Sequence, residues 1–238
     1  MGKPKIAILM DENTSGDATR YEASKTYFQA IADAGGLPFG IPYLAEIVGT
    51  VVEEFDGLMT CGGRFAYPAD WYIGNEVSLA PQSARFEIEK SIVQGFLARD
   101  KPILGMCAGM QMIACLMGCK LTPDLKTTFP EAQEHDKAGQ CHTVTFDADS
   151  ILPRIIGAST LSVNSFHQEA IAALSDRVVA AGLADDGIIE AIVIPDKTYV
   201  IGLQWHQEHF VGTDHAGNRF FSGLVEAAQH IANADSTG

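Results

Sequence analysis

The stretch that most constrains the fold is Pro102 to Leu121, the most apolar run of the sequence. Its length invites reading as a membrane span. Gln111 sits inside it, Lys120 near its end, and Gly105, Gly109 and Gly118 interrupt it. A buried strand, Ile103 to Met106, that turns directly into a buried helix, Cys107 to Met117, satisfies this composition better. Both elements are apolar on every side, so each must be covered by other elements.

The preceding segments supply that cover. Lys5 to Met10, Leu37 to Tyr43 and Gly57 to Thr60 are short apolar runs suited to buried strands. Between them lie helical patterns. One runs after Thr19-Arg-Tyr-Glu22, which has capping-box spacing, and stops at Gly35-Gly36. Ile47 to Phe55 reads as a short helix or turn, and Ser83 to Arg99 repeats Ile88, Ile92, Val93, Phe96 and Leu97 at helical spacing. Strand and helix alternation predicts an α/β fold, a three-layer sandwich with a mainly parallel central sheet and helices on both faces. Later, Val144 to Phe146, Ile188 to Ile194 and Tyr199 to Leu203 read as strands, with Pro195-Asp-Lys-Thr198 as a hairpin turn. Asn218 to Ile231 closes as a helix. Residues 1–238 are expected to form a single domain, with the polar, irregular stretch 122–142 as a flexible or inserted segment.

Charge narrows the function classes. Lys plus Arg number 16 and Asp plus Glu 30, a net charge of −14 with no basic cluster. Nucleic acid and anionic membrane surfaces are therefore not expected partners. The five cysteines, an odd count, follow no secretory signal, because the apolar run after Lys5 is too short. They are expected to be free thiols in a reducing cytoplasm.

Four constellations carry chemistry. In Gly105-Met-Cys107-Ala-Gly109, small residues allow a tight strand-to-helix turn that lifts the Cys107 side chain, the geometry of a nucleophile elbow. The helix N-terminus favours a thiolate there, and the Ala108 N–H faces a developing oxyanion. Taken alone, the motif equally fits a buried structural cysteine. Trp205-His206-Gln-Glu208-His209 follows a strand and offers an imidazole with a carboxylate two residues on. The same residues could ligate a metal, but the spacing is not a strong metal pattern and no partner pair completes it. Thr60-Cys-Gly-Gly63 places two glycines after a strand, and Asn164-Ser-Phe-His167-Gln-Glu169 gathers polar side chains. Each of these two alone is an ordinary turn or loop.

In order along nearly the whole chain, these segments resemble the class I glutamine amidotransferase-like superfamily, and within it the gamma-glutamyl hydrolase branch, peptidase C26. Lys101-Pro-Ile-Leu-Gly-Met-Cys107-Ala-Gly-Met-Gln111 resembles its nucleophile signature, and Val163-Asn-Ser-Phe-His167 its Val-Asn-Ser-x-His segment. Tyr21 to Pro42, Gly62-Gly63, Arg85 and Glu89, Asp186-Gly187, Glu190-Ala191 and Gly202 to Glu208 extend the match. The resemblance implies a flavodoxin-like α/β domain in which Cys107 is the nucleophile, His206 the base and Glu208 its orienting group. Backbone N–H groups of Gly62, Gly63 and Ala108 would form the oxyanion hole, and Gln111, Ser165 and His167 would bind substrate. The implied reaction cleaves the gamma-glutamyl amide of a gamma-glutamyl amine, such as gamma-glutamyl-GABA, through a thioester and needs no metal or organic cofactor. The chain departs from the usual pattern at Ala108 (usually Arg), Phe86 (Asp), Gln207 (Pro), and at Gln168 and Glu169, where the family reads His-Gln.

Three functions compete. A stand-alone hydrolase acting on a small gamma-glutamyl substrate, which allows a homodimer, is favoured by the Val-Asn-Ser-x-His segment and the Tyr21 to Pro42 match. A glutaminase subunit of a two-chain amidotransferase would use the same triad and require a synthetase partner. A non-catalytic relative would be expected to have lost Cys107, His206 or Glu208; all three are present.

Overall fold

The apolar runs of the first half pair side by side as one parallel sheet. A computed structural model describes residues 2–12 and 20–235. Strands β1 (Lys5–Leu9), β4 (Leu37–Ile41), β5 (Gly57–Thr60), β6 (Ile103–Met106) and β13 (Val200–Leu203) form its parallel half, in the order β4-β1-β5-β6-β13. Antiparallel strands β12 (Ile189–Val193), β11 (Val179–Ala184), β8 (Asp136–Phe146) and β9 (Thr160–Phe166) continue it in that order. The expected turn at 195–198 does join β12 to β13. Strands β2 (Asp11–Glu12) and β3 (Tyr21–Glu22) pair with each other, as do β7 (Lys120–Thr122) and β10 (Ala170–Ala173).

Strand alternation sends side chains to two cores, one on each sheet face. Ala7, Leu9, Leu58 and Ile103 pack with residues of α2 (Val48–Glu54), α3 (Arg85–Ala98) and α4 (Ala108–Leu116). Ile6, Ile8, Met59, Leu104 and Met106 pack with α1 (Lys25–Asp33) and α7 (Arg219–Asp235) on the other face. The three-layer sandwich is thus as expected. Helix α4 is apolar apart from Gln111 and is buried from Ala108 to Cys115. Buried Lys101 donates to the carbonyls of Val52, Glu53 and Phe55, closing the C-terminal end of α2.

Several local expectations are corrected. Thr19 lies outside the described residues, while Tyr21–Glu22 is strand; α1 starts at Lys25, capped by Ser24, whose Oγ accepts from the Thr26 N–H at 3.4 Å. The stretch 122–142, expected to be irregular, carries α5 (Leu125–Thr128) and the first part of β8. A register shift between Asp136 and Cys141 blurs the alternation by which a strand is recognised. Strands β9, β10 and β11 have no counterpart in the sequence reading. A further short helix, α6 (Leu152–Ile156), precedes β9. Among the described residues, no helix is long and apolar enough to cross a membrane.

Candidate active site

The carboxyl ends of β5, β6 and β13 converge, as parallel α/β sheets require of a site. Each end carries one expected constellation.

At the end of β6, Cys107 adopts φ 50° and ψ −107°, outside the helical region, before α4 begins at Ala108. A non-glycine residue at positive φ is strained, and the neighbouring glycines permit it. A Cβ on Gly109 would run into Thr60 Oγ1, and one on Gly105 would lie 2.8 Å from the Gly109 backbone. Tyr67 fixes the start of α4 by donating to the Ala108 carbonyl at 2.8 Å.

At the end of β13, His206 sits with its Nδ1 2.7 Å from Glu208 Oε1 and its ring within hydrogen-bonding reach of the Cys107 thiol. Burial opposes the charged imidazole, but the Cys107 sulfur and the Glu208 carboxylate outweigh it and push His206 up to about 11. Burial likewise opposes the Glu208 charge, and bonds from His206 and Tyr27 hold its carboxyl below the ordinary value. Asn164 holds the His206 backbone at both ends, accepting from its N–H and donating to its carbonyl, each at 2.9 Å. Gln207, where the resemblance has proline, accepts from Trp205 Nε1 at 2.9 Å and donates to Asn218 Oδ1 at 3.0 Å. Those bonds brace the turn that proline would otherwise stiffen.

Just past the end of β5, the Cys61-Gly62-Gly63 segment is held by buried side chains. Fully buried Arg85 donates to the Cys61 carbonyl at 2.6 Å and to the Gly62 carbonyl at 2.9 Å. Its Nε lies 2.5 Å from Glu89, and Asp11 lies 3.3 Å from its other end. Those bonds fix the backbone that carries Gly63 into the cleft beside Cys107. The His206 ring lies so close to Gly62 that a Cβ there would strike it.

The remaining expected residues fall unevenly. The Gly62 N–H donates to Tyr27 OH at 3.3 Å, which leaves Gly63 as the residue of this pair that lines the cleft beside Cys107. Gln111 lines that cleft too, and its amide is committed to the Glu169 carbonyl at 3.0 Å and Gln204 at 3.2 Å. His167 lines the cleft, but both its ring nitrogens face protein atoms, the Glu169 carbonyl and Glu190. Ser165 is corrected: it is fully buried behind the cleft, with its hydroxyl donating to the His135 carbonyl at 2.9 Å. Strand alternation explains this, because in β9 Asn164 faces His206 and Ser165 must face the other way. Glu169 accepts from Tyr72 at 3.0 Å and Ser78 at 2.8 Å; burial pushes its carboxyl up to about 7 against those bonds.

Tyr27 is a site residue that the sequence places only on a packing face. Its hydroxyl donates to Glu208 Oε1 at 2.5 Å and accepts from Gly62, joining the carboxylate to the glycine segment. Nothing in the local sequence signals a contact across so many residues. The group His206, Glu208 and His209 places three potential ligand atoms near one another. Glu208 Oε1 is already shared by His206 and Tyr27, and His209 Nε2 stands 3.9 Å away, so orientation of His206 accounts for the arrangement.

Residues 4–208 match the family described as Peptidase C26. A gamma-glutamyl-gamma-aminobutyrate hydrolase, PuuD of Escherichia coli K12, is 28% identical over 97% of this chain and 95% of its own length. A putative glutamine amidotransferase of Mycobacterium tuberculosis is 31% identical over 88% of this chain and 68% of its own. Among solved structures, a glutamine amidotransferase of Thermotoga maritima superposes with a TM-score of 0.60 at 15% identity, covering 100% of this chain and 87% of its own. That last likeness concerns the fold alone.

Proposed function

The chain belongs to the peptidase C26 family, and from that premise we propose that it is a cysteine-dependent hydrolase of a gamma-glutamyl amide. One observation carries the reading: a cysteine strained to positive φ at a helix start faces an imidazole whose far nitrogen is held by a buried carboxylate. Cys107 attacks the gamma-carbonyl as thiolate, and His206 takes the thiol proton and returns it to the departing amine. Glu208 keeps His206 oriented and stabilises its charge. The N–H groups of Gly63 and Ala108 receive the oxyanion. Water, deprotonated by His206, then releases glutamate from the thioester. Gln111 and His167 shape the wall that holds the glutamyl part, through the Glu169 backbone.

Support for the substrate class comes from the family and from the similarity to the E. coli hydrolase. The similarity to the putative M. tuberculosis amidotransferase favours a second reading, a glutaminase that passes ammonia to a synthetase partner. Glutamate release from a panel of gamma-glutamyl amines, with glutamine included, tests both. Cleavage of one amide far above glutamine is expected. Activity on glutamine alone would replace the hydrolase with the glutaminase of a two-chain amidotransferase.

A further inference from the structure

Away from the reacting atoms, three histidines converge on one carboxylate. His135 precedes β8, His142 lies within it, His167 follows β9, and Glu190 is in β12. Glu190 Oε1 stands 3.2 Å from each of His135 Nδ1, His142 Nε2 and His167 Nε2. All four side chains are buried.

The outer nitrogens restrict what the centre can be. His135 Nε2 lies 2.9 Å from Asp186 Oδ2, and His167 Nδ1 lies 3.0 Å from the Glu169 carbonyl. Carboxylate and carbonyl only accept, so these outer nitrogens carry the ring protons. In the neutral rings, both inner nitrogens then aim lone pairs at Glu190. Ser165 Oγ, 3.1 Å from His135 Nδ1, donates to the His135 carbonyl and supplies no proton to that nitrogen. Neither nitrogen of His142, nor Glu190 Oε2, has a hydrogen-bond partner among the described residues. Acceptors gathered in a dry space need positive charge between them, as a metal ion or as added ring protons.

Geometry favours the ion. A tetrahedral centre with bonds of about 2.0–2.1 Å holds its ligand atoms about 3.3 Å apart and the centroids of bound imidazoles about 5 Å apart. The ligand atoms of His135, His142 and Glu190 all lie within 4.8 Å of one another, both histidine nitrogens stand 3.2 Å from Glu190, and the two ring centroids are 4.9 Å apart. An imidazolium bonded to a carboxylate would approach to about 2.7–2.9 Å, and His142 lacks donor alignment. Asp186 stands where a ligating His135 requires its outer partner. The carboxylates of Glu190 and Asp186 would neutralise a divalent ion.

We infer that His135, His142 and Glu190 form a buried site for a divalent first-row cation of the zinc class, with His167 outside the ligand set. Two nitrogen ligands with one carboxylate suit that class. It ties β8 and the residue before it to β12. A surface cleft lined by His135 and His167, with Asp124, Glu134 and Asp136 around it, gives the ion a route in. This inference is independent of the reaction assigned to Cys107.

The test uses the full chain, purified without chelator and analysed for bound metal, then stripped and titrated with Co²⁺ and with Zn²⁺. One ion per chain is expected, with the intense visible band of tetrahedral cobalt and a higher unfolding temperature when Zn²⁺ is restored. Glu190→Gln and His142→Gln should abolish the band. Asp186→Asn should weaken Co²⁺ binding about 10–100-fold. Cys107→Ser and His209→Gln should leave it unchanged. A folded wild-type chain with no cobalt band and no response of its unfolding temperature to Zn²⁺ overturns the site, even where a variant fails to fold. A band lost in His209→Gln but kept in Glu190→Gln overturns it too, because the ion would then lie at the His206–Glu208–His209 group.

Discussion

Arg85→Met separates stability from catalysis at one buried residue. Arg85 and Glu89 are both fully buried, with 2.5 Å between Nε and Oε2. Removing one partner of such a pair leaves an uncompensated charge and costs about 3–5 kcal/mol. At this chain length that is a fall in Tm of roughly 6–20 °C. The Asp11 contact adds little, because that carboxylate is exposed to solvent. Adding Glu89→Met should restore much of the loss, since an apolar pair of similar volume is often neutral. A remaining loss of about 1–3 kcal/mol should persist from the Cys61 and Gly62 carbonyls left without donors. Turnover should behave differently. Both variants release the glycine segment, so both should lose about 10²–10³-fold in kcat, the cost of a misplaced oxyanion donor. Calorimetry and glutamate release on the single and double variants read the two effects separately. A double variant that recovers both stability and turnover would refute the positioning role of Arg85. A single variant whose Tm falls by less than about 3 °C would refute the buried-charge argument.

Other expectations are more local. Cys107→Ser and His206→Ala should abolish turnover with the fold intact, and Glu208→Gln should cost less than either, because it orients rather than reacts; parallel kinetics with circular dichroism checks this. Gly109→Ala should destabilise by about 1–3 kcal/mol, since its Cβ would enter the space of Thr60, and denaturant unfolding measures it. Burial opposes the charge on His206, but Cys107 and Glu208 push it from its ordinary 6.5 up to about 11, so its contribution to stability should be complete below about 6.5 and lost as pH rises through about 11. Glu208 is held below its ordinary 4.5, so its contribution is present above that value and lost as pH falls below it. Unfolding followed across both ranges should show each loss, and both should shrink in the His206→Ala variant.

Legibility in the sequence followed the range of the interactions. The elbow was legible because its glycines, its cysteine and the flanking apolar strand are contiguous, and the 195–198 turn because its residues are local. The parallel half of the sheet was legible because its strands are continuous apolar runs. Strands β9 and β11 were not, since Thr160–Phe166 mixes polar residues on both faces and Val179–Ala184 is built of small ones. Tyr27 was invisible as a site residue because its partner, Glu208, arrives from the far end of the chain. Ser165 was misplaced because a motif gives neighbours, while the pleat of a strand sends neighbours to opposite faces. The histidine cluster escaped for a similar reason: four segments supply it, and none alone has ligand spacing.

The proposed function turns on attack by Cys107 at a gamma-glutamyl carbonyl. A diazoketone analogue of glutamine, followed by peptide mass mapping, tests it directly, with exposed Cys141 as an internal control for unspecific alkylation. Labelling is expected at Cys107, blocked by gamma-glutamyl-GABA and parallel to the loss of turnover. Turnover that survives complete labelling of Cys107 would contradict it.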